Sequence, residues 1–221
     1  MRNQSQRDPI IYIVDDDADV REGLQSLFQS VGLRSEVFAS IEALLQRKSA
    51  DEVSCLVLDV RLPGRSGLDL QSEFAKEQIR IPIVFITGHG DVPMSVKAMK
   101  AGAVEFLTKP VREQDLLDAV RVALDRDRAR REHDRSMQTL RARYESLSPR
   151  ERQVMAAVVA GLMNKQAAAE IGISEVTLKV HRHNIMKKLG ALSLAELVRM
   201  ADSLEIPRWK KSPVSDQRTA P

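Results

Sequence analysis

Four apolar runs in this chain end on residues that can handle phosphate or a metal ion: IIYIV meets Asp15, Asp16 and Asp17, CLVL ends on Asp59, IPIVFI ends on Thr87, and FLT leads into Lys109. Short β-branched runs of this kind form buried strands, and sites in a parallel α/β sheet lie beyond the carboxyl ends of its strands. Carboxylates converging in a half-buried crevice repel one another, and one is forced neutral unless a cation lies between them. Mg²⁺ removes that conflict, because it takes oxygen ligands and keeps positions open for waters and phosphate oxygens. With a hydroxyl and an ammonium opposite, such a crevice stabilises the charge on a transferring phosphoryl group. Asp59, on the central third strand, is the candidate nucleophile. The competing explanation for strand-end aspartates is helix capping, favoured by the helix dipole. Capping is the expected role of Asp17 and Asp19.

The elements that must position these groups alternate. IIYIV, SEVF, CLVLD, IPIVFIT and AVEFL read as strands, and the intervals have helical spacing, with Val20, Leu24, Leu27, Phe28 and Val31 as one apolar stripe. Almost wholly apolar third and fourth strands are expected where helices cover both faces of a sheet, so the first half reads as a doubly wound five-strand α/β domain. A helix from about Glu113 to Leu124 should close it. Asp125 to Ser136, DRDRARREHDRS, reads as a solvated helix or a tether. Met137, Leu140, Tyr144 and Leu147 then recur in steps of three and four, which fits either a short coiled-coil seam or packing within the chain.

From Ser148 onward the helix signals are close-set. SPRE forms a capping box with proline at the first helical position; Asn164 and Ser174 are candidate caps for the next two helices, Gly172 a turn and Gly190 a stop, and SLAE repeats the box. On a wheel of about 100° per residue, Leu178, His181, Ile185 and Leu189 share one side of the helix Ser174 to Leu189. Val176, Lys179, Val180, His183 and Lys187 share the other. Valines mixed with cationic side chains suit a major groove, where lysine meets phosphate or guanine and valine meets a thymine methyl. The preceding short helix completes a helix-turn-helix. His181 and His183 point to different sides, which argues against a zinc pair; His181 is expected to pack with a satisfied nitrogen, and His89 to be structural. Trp209 either packs on the bundle or contacts phosphate.

Composition agrees with two partners. Up to Asp125 there are 15 Lys/Arg against 20 Asp/Glu, a balance of −5; beyond it 19 against 11, a balance of +8. An acidic front and a basic back point to a cation or cationic protein for the first and a polyanion for the second. The single Cys55 sits in an apolar run, there is no run of the ~20 apolar residues a membrane helix needs, and the start MRNQSQRD lacks a signal-peptide core. A cytoplasmic protein with no membrane partner is expected.

IVDDDADVR, LVLDVRLPGRSGLDL, VFITGHGD and AMKAGAVEFLTKP together resemble the receiver domain of two-component response regulators, a flavodoxin-like fold. The resemblance implies that Asp59 accepts a phosphoryl group from a sensor histidine kinase. It implies that Asp15, Asp16 and Asp59, with the main-chain carbonyl of Arg61, hold Mg²⁺, and that Thr87 and Lys109 contact the phosphoryl oxygens. Phe106 stands at the position of a switching aromatic that follows Thr87, and Lys109–Pro110 at that of a cis peptide. A phosphohydrolase of the haloacid dehalogenase type is the competing enzyme, but it needs an aspartate two positions after the nucleophile, where this chain has Arg61.

LSPRERQVMAAVVAGLMNKQAAAEIGISEVTLKVHRHNIMKKLGALSLAELV resembles the LuxR-type DNA-binding domain. Lys179, Val180 and His183 match its groove-facing residues. Joined, the modules resemble the NarL/FixJ class, nearest the FixJ branch. The implied partners are a kinase, promoter DNA, RNA polymerase and a second copy of the chain, dimerising through the surface from Asp91 to Phe106. The expected organisation is a flexible start (1–8), a receiver (9–125), a helical linker (126–145), a four-helix DNA-binding domain (146–207) and a basic disordered tail (208–221). A regulator acting by protein contact alone remains the alternative.

Overall fold

The structure, a computed structural model, describes residues 8–47, 51–64, 66–77, 79–88, 90–207 and 209. The expectations for His89 and for most of both termini lie outside these residues. The chain divides into two units between Glu132 and His133.

In the first unit, β1 (Ile10–Val14), β2 (Arg34–Phe38), β3 (Ser54–Asp59), β4 (Ile83–Thr87) and β5 (Glu105–Thr108) form a parallel sheet in the order β2-β1-β3-β4-β5. Side chains alternate across a sheet, and here both faces are covered. Tyr12, Val14, Leu56, Leu58 and Phe85 pack under α2 (Ile41–Leu45), α3 (Gly67–Lys76) and α4 (Val92–Lys100). Ile11, Ile13, Val57, Val84 and Ile86, with Cys55, pack against α1 (Ala18–Ser30) and α5 (Glu113–Glu145). That two-sided burial is why the strands read as unbroken apolar runs. In the stripe on α1 only Phe28 is fully buried; Val20, Leu24 and Leu27 pack at the margin, and Val31 lies past the helix end, 45% exposed.

α5 differs from the sequence expectation. It does not stop near Leu124 but runs unbroken for 33 residues, with the charged stretch helical throughout. Its positions within the first unit are anchored by a buried carboxylate: Asp127 accepts from the Ser54 main-chain N–H at 3.0 Å and pairs with Arg130 and, at 2.6 Å, with Arg131.

The second unit has α6 (Pro149–Val159), α7 (Asn164–Ile171), α8 (Glu175–Leu189) and α9 (Leu194–Ser203) around one core. Leu147 belongs to that core and Leu140 and Tyr144 pack on it, so their spacing serves packing within the chain. Ser148 and Glu151 form the predicted capping box and Ser174 caps α8. Two caps depart from expectation. Asn164 lies inside α7 behind Met163, because its Oδ1 accepts from Arg182 Nη1 at 2.5 Å and is engaged there. At α9, Ser193 accepts from the Glu196 N–H, but the Glu196 carboxylate takes the N–H of Leu192 instead of closing the box. Trp209 packs against the bundle. Among the described residues no helix is long and apolar enough to cross a membrane.

Candidate phosphoryl site and DNA-facing helix

The sheet order reverses between β1 and β3, the place where α/β sheets open a crevice at their carboxyl ends. The register Val14↔Leu58 sets the two strand ends side by side, so Asp15 and Asp59 are neighbours. Asp15, Asp16 and Asp59 each offer a carboxylate oxygen, all within 4.8 Å of one another. Asp15 and Asp59 are buried and Asp16 is exposed, which leaves the cluster open on one side.

Lys109, just past β5, reaches across: its Nζ lies 2.6 Å from Asp15 Oδ2 and 2.6 Å from Asp59 Oδ2. Its main-chain N–H donates to the Thr87 carbonyl at 2.8 Å, and the Lys109–Pro110 peptide is cis. Burial pushes the Asp15 carboxyl above its usual range, although the Lys109 ammonium and the N–H of Asp17 pull the other way. Burial alone would lower the Lys109 ammonium, but hydrogen bonds to both carboxylates raise it above its ordinary value. Clustered oxygen donors, two of them buried and sharing one ammonium, fit a hard divalent cation, so the cluster is consistent with a divalent-metal phosphorylation site. Asp17 takes no part in it: its side chain accepts from the N–H groups of Asp19 and Val20 and caps α1.

Thr87 is fully buried at the end of β4. Phe106, half-buried on β5, lies 6.3 Å from the Phe85 ring centroid. Gly90 is wedged between the two switch candidates: a Cβ there would fall 2.8 Å from the Phe106 ring and 3.0 Å from the Thr87 methyl. Gly67 is equally confined, a Cβ being 2.7 Å from the Asp59 carbonyl oxygen, so the start of α3 fixes the end of β3. Arg61 contributes its main-chain N–H, which donates to Asp59 Oδ1 at 2.9 Å. Arg21 escapes the sequence reading: its guanidinium donates to the carbonyls of Asp15 (2.8 Å) and Asp16 (3.0 Å) and holds the acidic turn. The only local signal was an arginine one turn into the helix that the turn feeds.

In the second unit, Gly172, in the left-handed conformation at φ 72°, turns α7 into α8. Leu178, Ile185 and Leu189 are buried and His181 is half-buried, while Val176 (73%) and Val180 (55%) are exposed with Lys179, His183 and Lys187. The predicted split of faces is therefore present. His181 departs from expectation, because its buried Nδ1 has no hydrogen-bond partner among the described residues. Lys179 pairs with Glu175 one turn earlier at 3.2 Å. Arg143, on α5, donates to the Leu189 carbonyl at 3.0 Å and fixes the far end of α8.

Residues 11–121 match the response regulator receiver domain, and residues 145–201 match the luxR family of bacterial regulatory proteins. Nodulation protein W of Bradyrhizobium diazoefficiens is 56% identical over 89% of this chain and 87% of its own length. The transcriptional regulatory protein FixJ of the same organism is 43% identical over 86% of this chain and 93% of its own. Among solved structures, the response regulator StyR superposes with a TM-score of 0.80 at 49% identity, covering 89% of this chain and 99% of StyR. The chain belongs to the NarL/FixJ class of response regulators, its receiver taking a phosphoryl group on the aspartate cluster and its LuxR-type domain controlling transcription.

Proposed function

We propose that Asp59 is the residue that accepts the phosphoryl group, from a phosphohistidine of a sensor kinase. The observation that carries this is the shared ammonium: Lys109 Nζ bridges Asp15 and Asp59 at the open end of the crevice. The P–N bond of the donor breaks as an Asp59 oxygen bonds to phosphorus, and the histidine nitrogen leaves with the electron pair. Lys109 stays within reach of the new phosphoryl oxygens, and the Thr87 hydroxyl turns toward them. Asp15, Asp16, Asp59 and the Arg61 carbonyl would hold Mg²⁺, which supplies positive charge against the phosphoryl oxygens. This is the protein's own phosphoryl uptake and loss, not turnover of outside substrates.

A phosphoryl group adds nearly two negative charges and several acceptors, so Thr87 is drawn to it and Phe106 moves into the space released. The surface this alters carries the exposed Val92 (74%), Val96 (44%) and Met99 (43%) of α4, where a second copy docks. The dimer then reads promoter DNA through Lys179, Val180 and His183, with Val176 against base methyls and Lys187 on phosphate, and presents itself to RNA polymerase. A small phosphodonor with Mg²⁺ should label the chain once and reversibly, by mass, and Asp59→Asn should take no label. Label on that variant would reassign the acceptor.

A further inference from the structure

One cavity lies toward the end of the strands opposite the aspartates, where Ser54 begins β3. It encloses about 320 Å³ between α2, α3 and the turn entering β4, wholly within the first unit. Leu44, Phe74, Ile79 and Ile81 give it apolar walls, and the Tyr12 ring lies under the Arg47 guanidinium at 4.5 Å. Small-molecule sites combine such walls with a few placed polar groups and span roughly 300–1,000 Å³, so this one suits a ring or a short chain rather than a long lipid.

The charge around it specifies the ligand further. Arg47 is held by Glu36 (2.5 Å) and Glu52 (2.8 Å), and Arg34 lies 3.6 Å from Glu52. Arg130 and Arg131 share Asp127, and Arg131 also takes Asp51 at 2.6 Å. Four carboxylates therefore answer four guanidinium groups. The fifth, Arg80, lines the same cavity, is exposed, and has no hydrogen-bond or ion-pair partner among the described residues. Arg80 is thus the one guanidinium of the cavity lining that no carboxylate among the described residues holds.

We propose that this cavity is an effector site for an amphiphilic monocarboxylate, its apolar body between Leu44, Phe74, Ile79 and Ile81 and its carboxylate on Arg80. Ser54, Arg130 and Arg131 also line the cavity, and they are the groups that Asp127 binds to seat α5 on the sheet edge. An occupant would thus touch the attachment of the helix that leads out of the receiver.

Octanoate is a suitable probe for the full-length chain, with octanol as the neutral control, observed through methyl resonances of Leu44, Ile79 and Ile81. Octanoate should shift these resonances saturably and bind more tightly than octanol. Arg80→Ala, at an exposed position, should leave the thermal midpoint unchanged, weaken octanoate by about tenfold or more, and leave octanol unaffected. The proposal is overturned by unsaturable shifts, by equal binding of octanol and octanoate, or by undiminished octanoate affinity in Arg80→Ala. No phosphodonor is needed, so the outcome is independent of the role of Asp59.

Discussion

Lys109 already occupies both buried carboxylates with a single ammonium, so a divalent cation would have to compete with it for them. Lys109→Gln should therefore move two measurements in opposite directions. Mg²⁺ should bind about tenfold more tightly by calorimetry, because a neighbouring positive charge is gone. Phosphoryl acceptance should slow by about 100-fold, because a donor aimed at developing charge is gone. Weaker Mg²⁺ binding in this variant would mean that the lysine organises the carboxylates rather than competing for them. The four side chains that the structure brings together, Asp15, Asp16, Asp59 and Lys109, were legible in the sequence because apolar runs ended on or just before them. Arg21, Gly67 and Gly90 were not. Their contributions are two hydrogen bonds to main-chain carbonyls and two close approaches across the fold, and residue type alone does not encode what lies about 3 Å away.

At the scale of elements, the strands, the four short helices and the two parts of α5 could be read from spacing and caps, but not that those two parts are one continuous helix. A charge-rich stretch looks solvated because most of its side chains are, yet Asp127 within it is buried, its cost met by a main-chain N–H and two guanidinium groups. Asp127→Ala leaves the Ser54 N–H without its acceptor and takes one carboxylate from Arg130 and Arg131, and should destabilise the first unit by about 2–3 kcal/mol in chemical denaturation. Asp127→Asn, which keeps an acceptor for the Ser54 N–H, should cost less; equal losses would place the stabilisation in the ion pairs. In the second unit, Glu151 is buried yet its carboxyl is held below the usual range. Burial opposes this, but the Lys188 ammonium at 2.7 Å and the Ser148 N–H outweigh it. A depressed carboxyl stabilises the folded state above its unfolded pKa, and that stability is lost as pH falls through the lower folded value. Glu151→Gln should therefore cost about 1–2 kcal/mol near neutral pH. The gap between the two proteins should narrow below pH 4.5, the ordinary value for the group. A gap independent of pH would assign the effect to shape rather than charge.

Across the whole molecule, the charge balance constrains how phosphorylation can raise DNA affinity. The front of the chain carries −5 and the back +8, and a phosphoryl group makes the front more acidic by about 1.5 to 2 charges. Added negative charge repels DNA, so a gain in affinity must come from copy number or from access to α8, not from the receiver's field. These two routes differ in their salt dependence. Each phosphate contact contributes about −0.9 to the slope of log affinity against log salt. If phosphorylation pairs two chains on one site, the number of contacts doubles and the slope should roughly double with it. If it only frees a DNA-binding unit that was blocked, affinity rises while the slope stays that of one copy. Dimerisation through α4 predicts the first result: a phosphodonor should steepen the slope about twofold for the natural chain and leave it unchanged for Asp59→Asn. A rise in affinity at constant slope would replace dimerisation with release as the switch, while leaving Asp59 as its trigger.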